Sequence, residues 1–68
     1  MAVTKIIELV GSSKTSSDEA VNAALSEAQA TIRNIKALDV VSVGLRGENL
    51  DEWRALVRIS FLVERVTD

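Results

Sequence analysis

The sequence predicts an α+β fold in which a three-stranded antiparallel sheet, connected in β-α-β-β order, wraps around one long helix. Three patterns support this prediction: a run of β-branched residues at 3–10, an apolar stripe of helical period at 17–36, and strict alternation at 53–66. A chain of 68 residues suffices for one small domain, so we expect residues 1–68 to fold as a unit.

The first predicted strand covers residues 3–10, which read Val-Thr-Lys-Ile-Ile-Glu-Leu-Val and end at Gly11. Successive side chains of a strand point to opposite faces. Ile7 and Leu9 therefore share one face, while Ile6 and Val10 share the other. Residues 11–17 are polar turn formers and are predicted to be a connector.

The predicted helix starts at Ser16, which is followed three residues later by Glu19 in a capping-box pattern. We expect it to run from residue 17 to residue 35 or 36, a length of about 30 Å at ~1.5 Å per residue. Arg33 and Lys36 would then lie near its negative C-terminal pole. Its apolar stripe consists of Val21, Ala24, Leu25, Ala28, Ile32 and Ile35.

Two further strands are predicted at residues 38–45 and 53–66, joined by a turn at 46–49. The alternation of the last strand separates its side chains into two sets. One set is predicted to pack against the helix, and it consists of Trp53, Ala55, Val57, Ile59, Phe61 and Val63.

The other face of the sheet is expected to be too apolar to stay in water as a monomer. Its predicted apolar members are Ile6, Val10, Val41, Val43, Leu45, Leu56 and Leu62. A domain this short usually needs a disulfide, a metal or association to be stable. The chain has no cysteine and no histidine, so we expect it to form a homo-oligomer.

Several classes of function are not expected. Without histidine or cysteine the chain can form neither a catalytic triad nor a thiolate nucleophile, so we do not expect an enzyme. The net charge of −2 and the pI near 5.0 argue against nucleic-acid binding. No signal peptide and no membrane-length apolar stretch is visible, so a soluble cytoplasmic protein without membrane contact is expected.

The charged residues leave two alternatives open. Glu48, Asp51 and Glu52 cluster near the predicted turn, where they could offer oxygen ligands to a hard cation, although solvated surface charge is the favoured interpretation. The arginines at 46, 54 and 58 could project from one face of the sheet. We expect them to pair with acids of neighbouring subunits, such as Asp39 or Glu64.

In its order of elements and in several motifs the sequence resembles the dodecins. Residues 8–13, Glu-Leu-Val-Gly-Ser-Ser, are similar to the family's "E-[LI]-V-G-T-S" strand end, and residues 31–35, Thr-Ile-Arg-Asn-Ile, are similar to its "T-[LI]-R-N-[LI]" helix end. Residues 39–41 and 57–63 are similar to its second and third strands. The resemblance implies a hollow cage of twelve copies that binds and stores a flavin, riboflavin or FMN.

The sequence departs from the family where the family binds flavin. Flavin-binding dodecins carry a stacking Trp before the second strand, and Ala37 stands at that position here. Their third strand has a Gln that pairs with the polar edge of the flavin, and Arg54 replaces it. Phe61 is followed by Leu62, whereas relatives have an arginine linked to phosphate groups there.

Two functional hypotheses follow from these departures. In the first, the protein is a non-enzymatic cage that binds or stores a small ligand, with flavin as the ligand that the resemblance implies. Ala37 and Arg54 would line the ligand site, with Asp39 and Arg46 nearby. In the second, the chain is an assembly module that has lost flavin binding and serves a structural or calcium-binding role.

Overall fold

A computed structural model describes the backbone of residues 2–64 and the side chains of residues 3–63. The elements follow in the predicted order: strand β1 (Ala2–Ser13), helix α1 (Ser17–Thr31), strand β2 (Ile35–Arg46) and strand β3 (Glu52–Glu64). The α+β class and the β-α-β-β order are therefore confirmed. Residues 65 and 66, which were predicted to end the third strand, lie outside the described residues.

The three strands form one antiparallel sheet in the order β1-β3-β2, so β3 is the central strand. Ile59 of β3 pairs with Ile7 of β1 on one side and with Leu38 of β2 on the other. Because paired residues of neighbouring strands project to the same face, each such row assigns three side chains to one side of the sheet.

The core lies between α1 and the sheet. Its buried members are three alanines of the helix, Ala20, Ala24 and Ala28, and three residues of the central strand, Ala55, Val57 and Ile59. The predicted packing of the β3 face against the helix is thus confirmed. The small alanine side chains let the helix lie close to the sheet, and Gly11 of β1 is buried beneath it.

The helix is shorter than predicted, since it ends at Thr31 and not at residue 35 or 36. Ile32 is already extended, and Asn34 has a left-handed backbone with φ of 62°. The Leu62 amide of β3 donates to the Asn34 carbonyl at 3.0 Å. This part of the backbone is therefore bonded to the sheet and does not continue the helix. The prediction for Arg33 and Lys36 is therefore wrong: the last helical turn has no basic residue.

Two register shifts in β2 change which side chains face the helix. The shifts lie between Ile35 and Ala37 and between Val40 and Ser42. After the second shift, Val43 lies opposite buried Ala55 and Leu45 lies opposite Trp53. The prediction that placed Val43 and Leu45 on the helix-free face is wrong, because an extra residue in a strand inverts its alternation.

Strand β2 therefore exposes apolar side chains on its helix side. Helix α1 packs mainly against β1 and β3 and covers little of β2. On the helix side, Val40, Val43 and Leu45 stay exposed, and Val41 is exposed beside the second register shift. Ile6 and Val10 of β1 are exposed on the helix-free face, at 58% and 59%. Exposed apolar side chains thus lie on both faces of the sheet, whereas they were predicted on the helix-free face alone.

Candidate functional site

A concave cavity of about 360 Å³ lies on the helix-free face of the sheet, toward the end of the β2–β3 hairpin. Small-molecule sites commonly have volumes of about 300–1,000 Å³, so the cavity is at the lower end of that range. It is lined by Val10, Ser42, Val43, Gly44, Arg46, Arg54 and Leu56. All three strands contribute to it, and β3 crosses its centre.

Gly44 lies between the two arginines of the cavity. Arg54 is its partner across the β2–β3 pair, and Arg46 follows two residues later on the same face of β2. A Cβ added at Gly44 would lie 2.8 Å from Nη1 of Arg46. The missing side chain therefore allows the Arg46 guanidinium to lie across the strand, where Nη1 donates to the Leu45 carbonyl at 2.9 Å.

Two of the three arginines predicted to pair with acids of neighbouring subunits, Arg54 and Arg58, already have acidic partners in their own chain. Arg54 Nη2 lies 3.2 Å from Glu52 Oε2, and Arg58 Nη2 lies 2.8 Å from Glu8 Oε2. Glu8 was not predicted as a partner, but it lies opposite Arg58 in the β1–β3 register. Both pairs are solvent-exposed, so each contributes only about 0–1 kcal/mol to stability.

The four residues predicted to bind a ligand share one face but fall into two groups. Arg46 and Arg54 line the cavity. Ala37 lies opposite Ser60 and Asp39 opposite Arg58, farther along β2. Arg58 and Arg54 are four residues apart on β3, a separation of about 13 Å at ~3.3 Å per residue. Ala37 and Asp39 therefore lie on the same surface as the cavity but not among its lining residues.

Neither aromatic side chain of the chain lies on the helix-free face. The sequence contains one Trp and one Phe, with no Tyr. Trp53 lies opposite Leu45 and packs against the core, as predicted, and Phe61 pairs with Ile35 on the same side. A planar ligand on the helix-free face would therefore contact aliphatic side chains and guanidinium groups rather than an aromatic ring of this chain.

Sequence reasoning missed the contributions of five residues to the cavity: Val10, Ser42, Val43, Gly44 and Leu56. Gly44 gave the only signal that could have been used, because a glycine inside a strand often marks a bulge or the close approach of another group. The register shift before it could not be read from the sequence. Without that shift, Gly44 and Arg46 would be assigned to the helix side of the sheet.

Two further findings concern metals and membranes. Among the side chains of residues 3–63, no three carboxylates come together in a group that could hold a metal ion, so Glu48, Asp51 and Glu52 do not converge. Glu52 is instead paired with Arg54. Within the part of the chain that the structure describes, no helix is long and apolar enough to cross a membrane.

The comparisons with known proteins agree on one family. The Dodecin family model matches residues 3–64, which is nearly the whole chain. A Thermus thermophilus protein of known structure is 31% identical, with a TM-score of 0.84, and the match covers 97% of this chain and 100% of that one. The chain therefore belongs to the dodecin family. A comparison with curated protein sequences found no match.

Other solved structures show how widely the fold is shared. The dodecin of Streptomyces coelicolor is 25% identical, with a TM-score of 0.87 and coverage of 96% of both chains. The calcium dodecin of Mycobacterium tuberculosis, described as having a calcium-binding site, is 22% identical with a TM-score of 0.82 and coverage of 97% of both chains. At that identity the likeness to the calcium protein establishes the fold alone.

Proposed function

We propose that this chain is a non-enzymatic subunit of a homo-oligomeric cage, and that the cage binds and stores a flavin, riboflavin or FMN, on the helix-free face of its sheets. The observation that carries the proposal is the cavity on that face, in which Arg46 and Arg54 face aliphatic side chains. Family membership supports flavin as the class of ligand.

The need for assembly follows from the exposed apolar surface. Val40, Val43 and Ile6 are each more than 40% exposed, and they lie on two different faces of the sheet. Burial of apolar surface contributes about 25 cal/mol per Å², so covering these side chains with further copies is worth several kcal/mol per subunit. The free energy of unfolding of a whole domain is only about 5–15 kcal/mol, so association would make a large contribution.

The donors of the helix-free face suit the polar edge of a flavin. An arginine supplies five N–H donors and no acceptor. Arg54 can therefore donate to ring carbonyl oxygens, but it cannot also accept a hydrogen bond from the ring, as a glutamine amide can. Ala37 and Asp39 lie farther along the same face, where the body of a bound ring would extend. The ring would be held by donors and aliphatic contacts, because this face has no aromatic side chain.

Riboflavin binding tests the proposal. Equilibrium dialysis of the intact assembly against riboflavin at tens of micromolar should show uptake that approaches a fixed ratio to subunits. The double variant Ala37→Trp with Arg54→Gln should bind riboflavin up to about tenfold more tightly, because a stacked aromatic adds ~0.5–1.5 kcal/mol. It should also quench the flavin fluorescence.

The matched control is Arg54→Gln alone, which carries the same change at residue 54 without the new tryptophan. The double variant should bind riboflavin more tightly than this control. If the wild type takes up no riboflavin, flavin storage is wrong. If the Ala37→Trp double variant also shows no gain, Ala37 does not border a flavin site.

One observation favours a second function, an assembly module that does not bind flavin. The helix-free face lacks an aromatic residue, since Trp53 and Phe61 both lie on the helix side. An assembly that remains intact while it leaves riboflavin free in dialysis would support this second function.

A further inference from the structure

The turn between β2 and β3 carries an exposed leucine. Residues 47–51, the hairpin tip, connect the two strands. Leu50 is 61% exposed, more than any other large apolar side chain among the described residues. Its amide donates to the Gly47 carbonyl at 3.1 Å, which closes the turn. The Leu50 backbone is therefore held in place, while its own chain covers little of the side chain.

The backbone conformation of Leu50 is also unfavourable for this residue type. Its φ of 52° lies in the left-handed region, where the Cβ of an L-residue comes too close to the following carbonyl oxygen. Glycine and asparagine adopt this region most readily, and the other such non-glycine residue of the described chain is Asn34. A strained residue that also exposes an apolar side chain is expected where that side chain makes a contact.

The carboxylates of Glu48 and Asp51 flank Leu50 on the hairpin tip. Residues 47–51 contain no cation, and neither carboxylate is in an ion pair among the side chains that the structure describes. The hairpin tip therefore presents an apolar side chain between two negative charges. Charge complementarity selects a partner in which an apolar surface lies beside cations.

A surface of that kind lies at the start of β2. Ile35 and Leu38 are half-buried on the helix side, and Val40 beyond them is exposed there. Arg33 and Lys36 are exposed beside these residues and form no ion pair among the described side chains. Together the five residues form the β2-start surface, which combines apolar side chains with two positive charges.

Strand β2 separates this surface from the hairpin tip of the same chain. The strand has 12 residues, so its two ends lie about 40 Å apart at ~3.3 Å per residue. A chain cannot place its hairpin tip on its own β2-start surface, so a contact between the two has to join two copies. Because the surfaces are different parts of the chain, such contacts build a ring when the rotation between copies closes.

We infer that the hairpin tip of one copy docks on the β2-start surface of a second copy. Leu50 packs against Leu38 and Val40, and the carboxylates of the hairpin tip lie near Arg33 and Lys36. The inference rests on the proposed function for the existence of the assembly, and it names the two surfaces through which the copies join. It does not depend on flavin binding.

Subunit exchange tests the apolar part of the contact. Isotope-labelled and unlabelled assemblies are mixed, and native mass spectrometry follows the appearance of mixed masses. Leu50→Asn should exchange at least about tenfold faster than the wild type, because it removes the apolar contact while asparagine fits the left-handed backbone. Leu50→Met is the matched control: it keeps an apolar side chain on the same backbone and should exchange within about twofold of the wild-type rate.

Charge reversal tests the polar part of the contact. Arg33→Glu with Lys36→Glu should exchange faster than the wild type, because the hairpin tip then meets like charges. Adding Glu48→Lys with Asp51→Lys should restore slow exchange. All four positions are exposed, and circular dichroism checks that each variant keeps its secondary structure. A combined variant that exchanges as fast as the first pair would overturn the docking.

The outcomes separate this inference from the proposed function. An assembled wild type with an equal exchange rate for Leu50→Asn would overturn the docking and leave the cage intact. A wild type that is monomeric at micromolar concentration would overturn both. Failure to take up riboflavin would overturn flavin storage alone, since the exchange measurements contain no flavin.

Discussion

The closest approach between the helix and the sheet depends on one residue, Gly11. A Cβ added there would lie 1.9 Å from the backbone oxygen of Ala20 and 2.9 Å from the backbone nitrogen of Ala24. Both are main-chain atoms of α1, so no side-chain rotation can relieve the overlap. The glycine thus lets the alanine stripe of the helix lie directly on β1.

Gly11→Ala should destabilise the protein by at least about 2 kcal/mol, the range expected when a core is overpacked and the backbone must shift. Gly44→Ala is the matched control, because its Cβ would meet only the mobile end of Arg46. We expect it to change stability by less than about 1 kcal/mol. Denaturant unfolding at one protein concentration measures both. Equal losses for the two variants would show that helix–sheet distance is not set at Gly11.

At the scale of the elements, the helix N-terminus differs in detail from the predicted capping box. Ser16 caps the helix as predicted, since its hydroxyl accepts from the Glu19 amide at 3.1 Å. The reciprocal bond is replaced: the Ser16 amide donates to the Ser13 hydroxyl at 3.5 Å, and that hydroxyl donates to Glu19 Oε2 at 3.3 Å. Ser13 therefore joins the end of β1 to the start of the helix.

Ser16→Ala should cost about 1 kcal/mol, the usual effect of losing a side-chain N-cap. Ser17→Ala changes the neighbouring serine, which is the first residue of the helix rather than its cap, and should have an effect below about 0.5 kcal/mol. Thermal unfolding followed by circular dichroism gives the comparison. If Ser17→Ala lowered the stability as much as Ser16→Ala, the hydroxyl of Ser16 would not be what stabilises the helix N-terminus.

At the scale of the whole molecule, the sheet is the dominant surface. The molecule measures 55 × 19 × 15 Å, and a 15-residue helix spans only about 23 Å of that length. Two apolar surfaces remain: Ile6 and Val10 on the helix-free face, and Val40, Val43 and Leu45 on the helix side of β2. Both have to be covered for the chain to avoid non-specific association.

The wild type should elute far above its monomer mass of 7.4 kDa in size-exclusion chromatography with light scattering. Val40→Glu and Ile6→Glu, one on each apolar surface, should each yield smaller species that retain their secondary structure, because a charge buried at an interface costs several kcal/mol. Asn22→Glu adds the same charge on an exposed position of the helix and should leave the mass unchanged. A wild-type monomer at micromolar concentration would contradict the assembly.

The sequence alone determined the element order and the helix-facing set around Val57 and Ile59. These features follow from the helical spacing of apolar residues and from the alternation of side chains in β3. The pairing of β3 with β1 has no register shift. Family membership was also visible in the order and spacing of the motifs. Of the predicted ligand residues, Arg46 and Arg54 lie together in a cavity, while Ala37 and Asp39 lie beyond it.

Only the tertiary structure decided where the helix ends and which way β2 faces. Ile32 and Ile35 fit the helical period, but the Asn34 carbonyl accepts from the Leu62 amide of β3 and not from an amide of the helix. The register shift between Val40 and Ser42 then exchanges the faces of all later residues of β2. That exchange depends on pairing with a distant strand. It brings Gly44 and Arg46 beside Arg54 and so creates the cavity, which local sequence pattern could not predict.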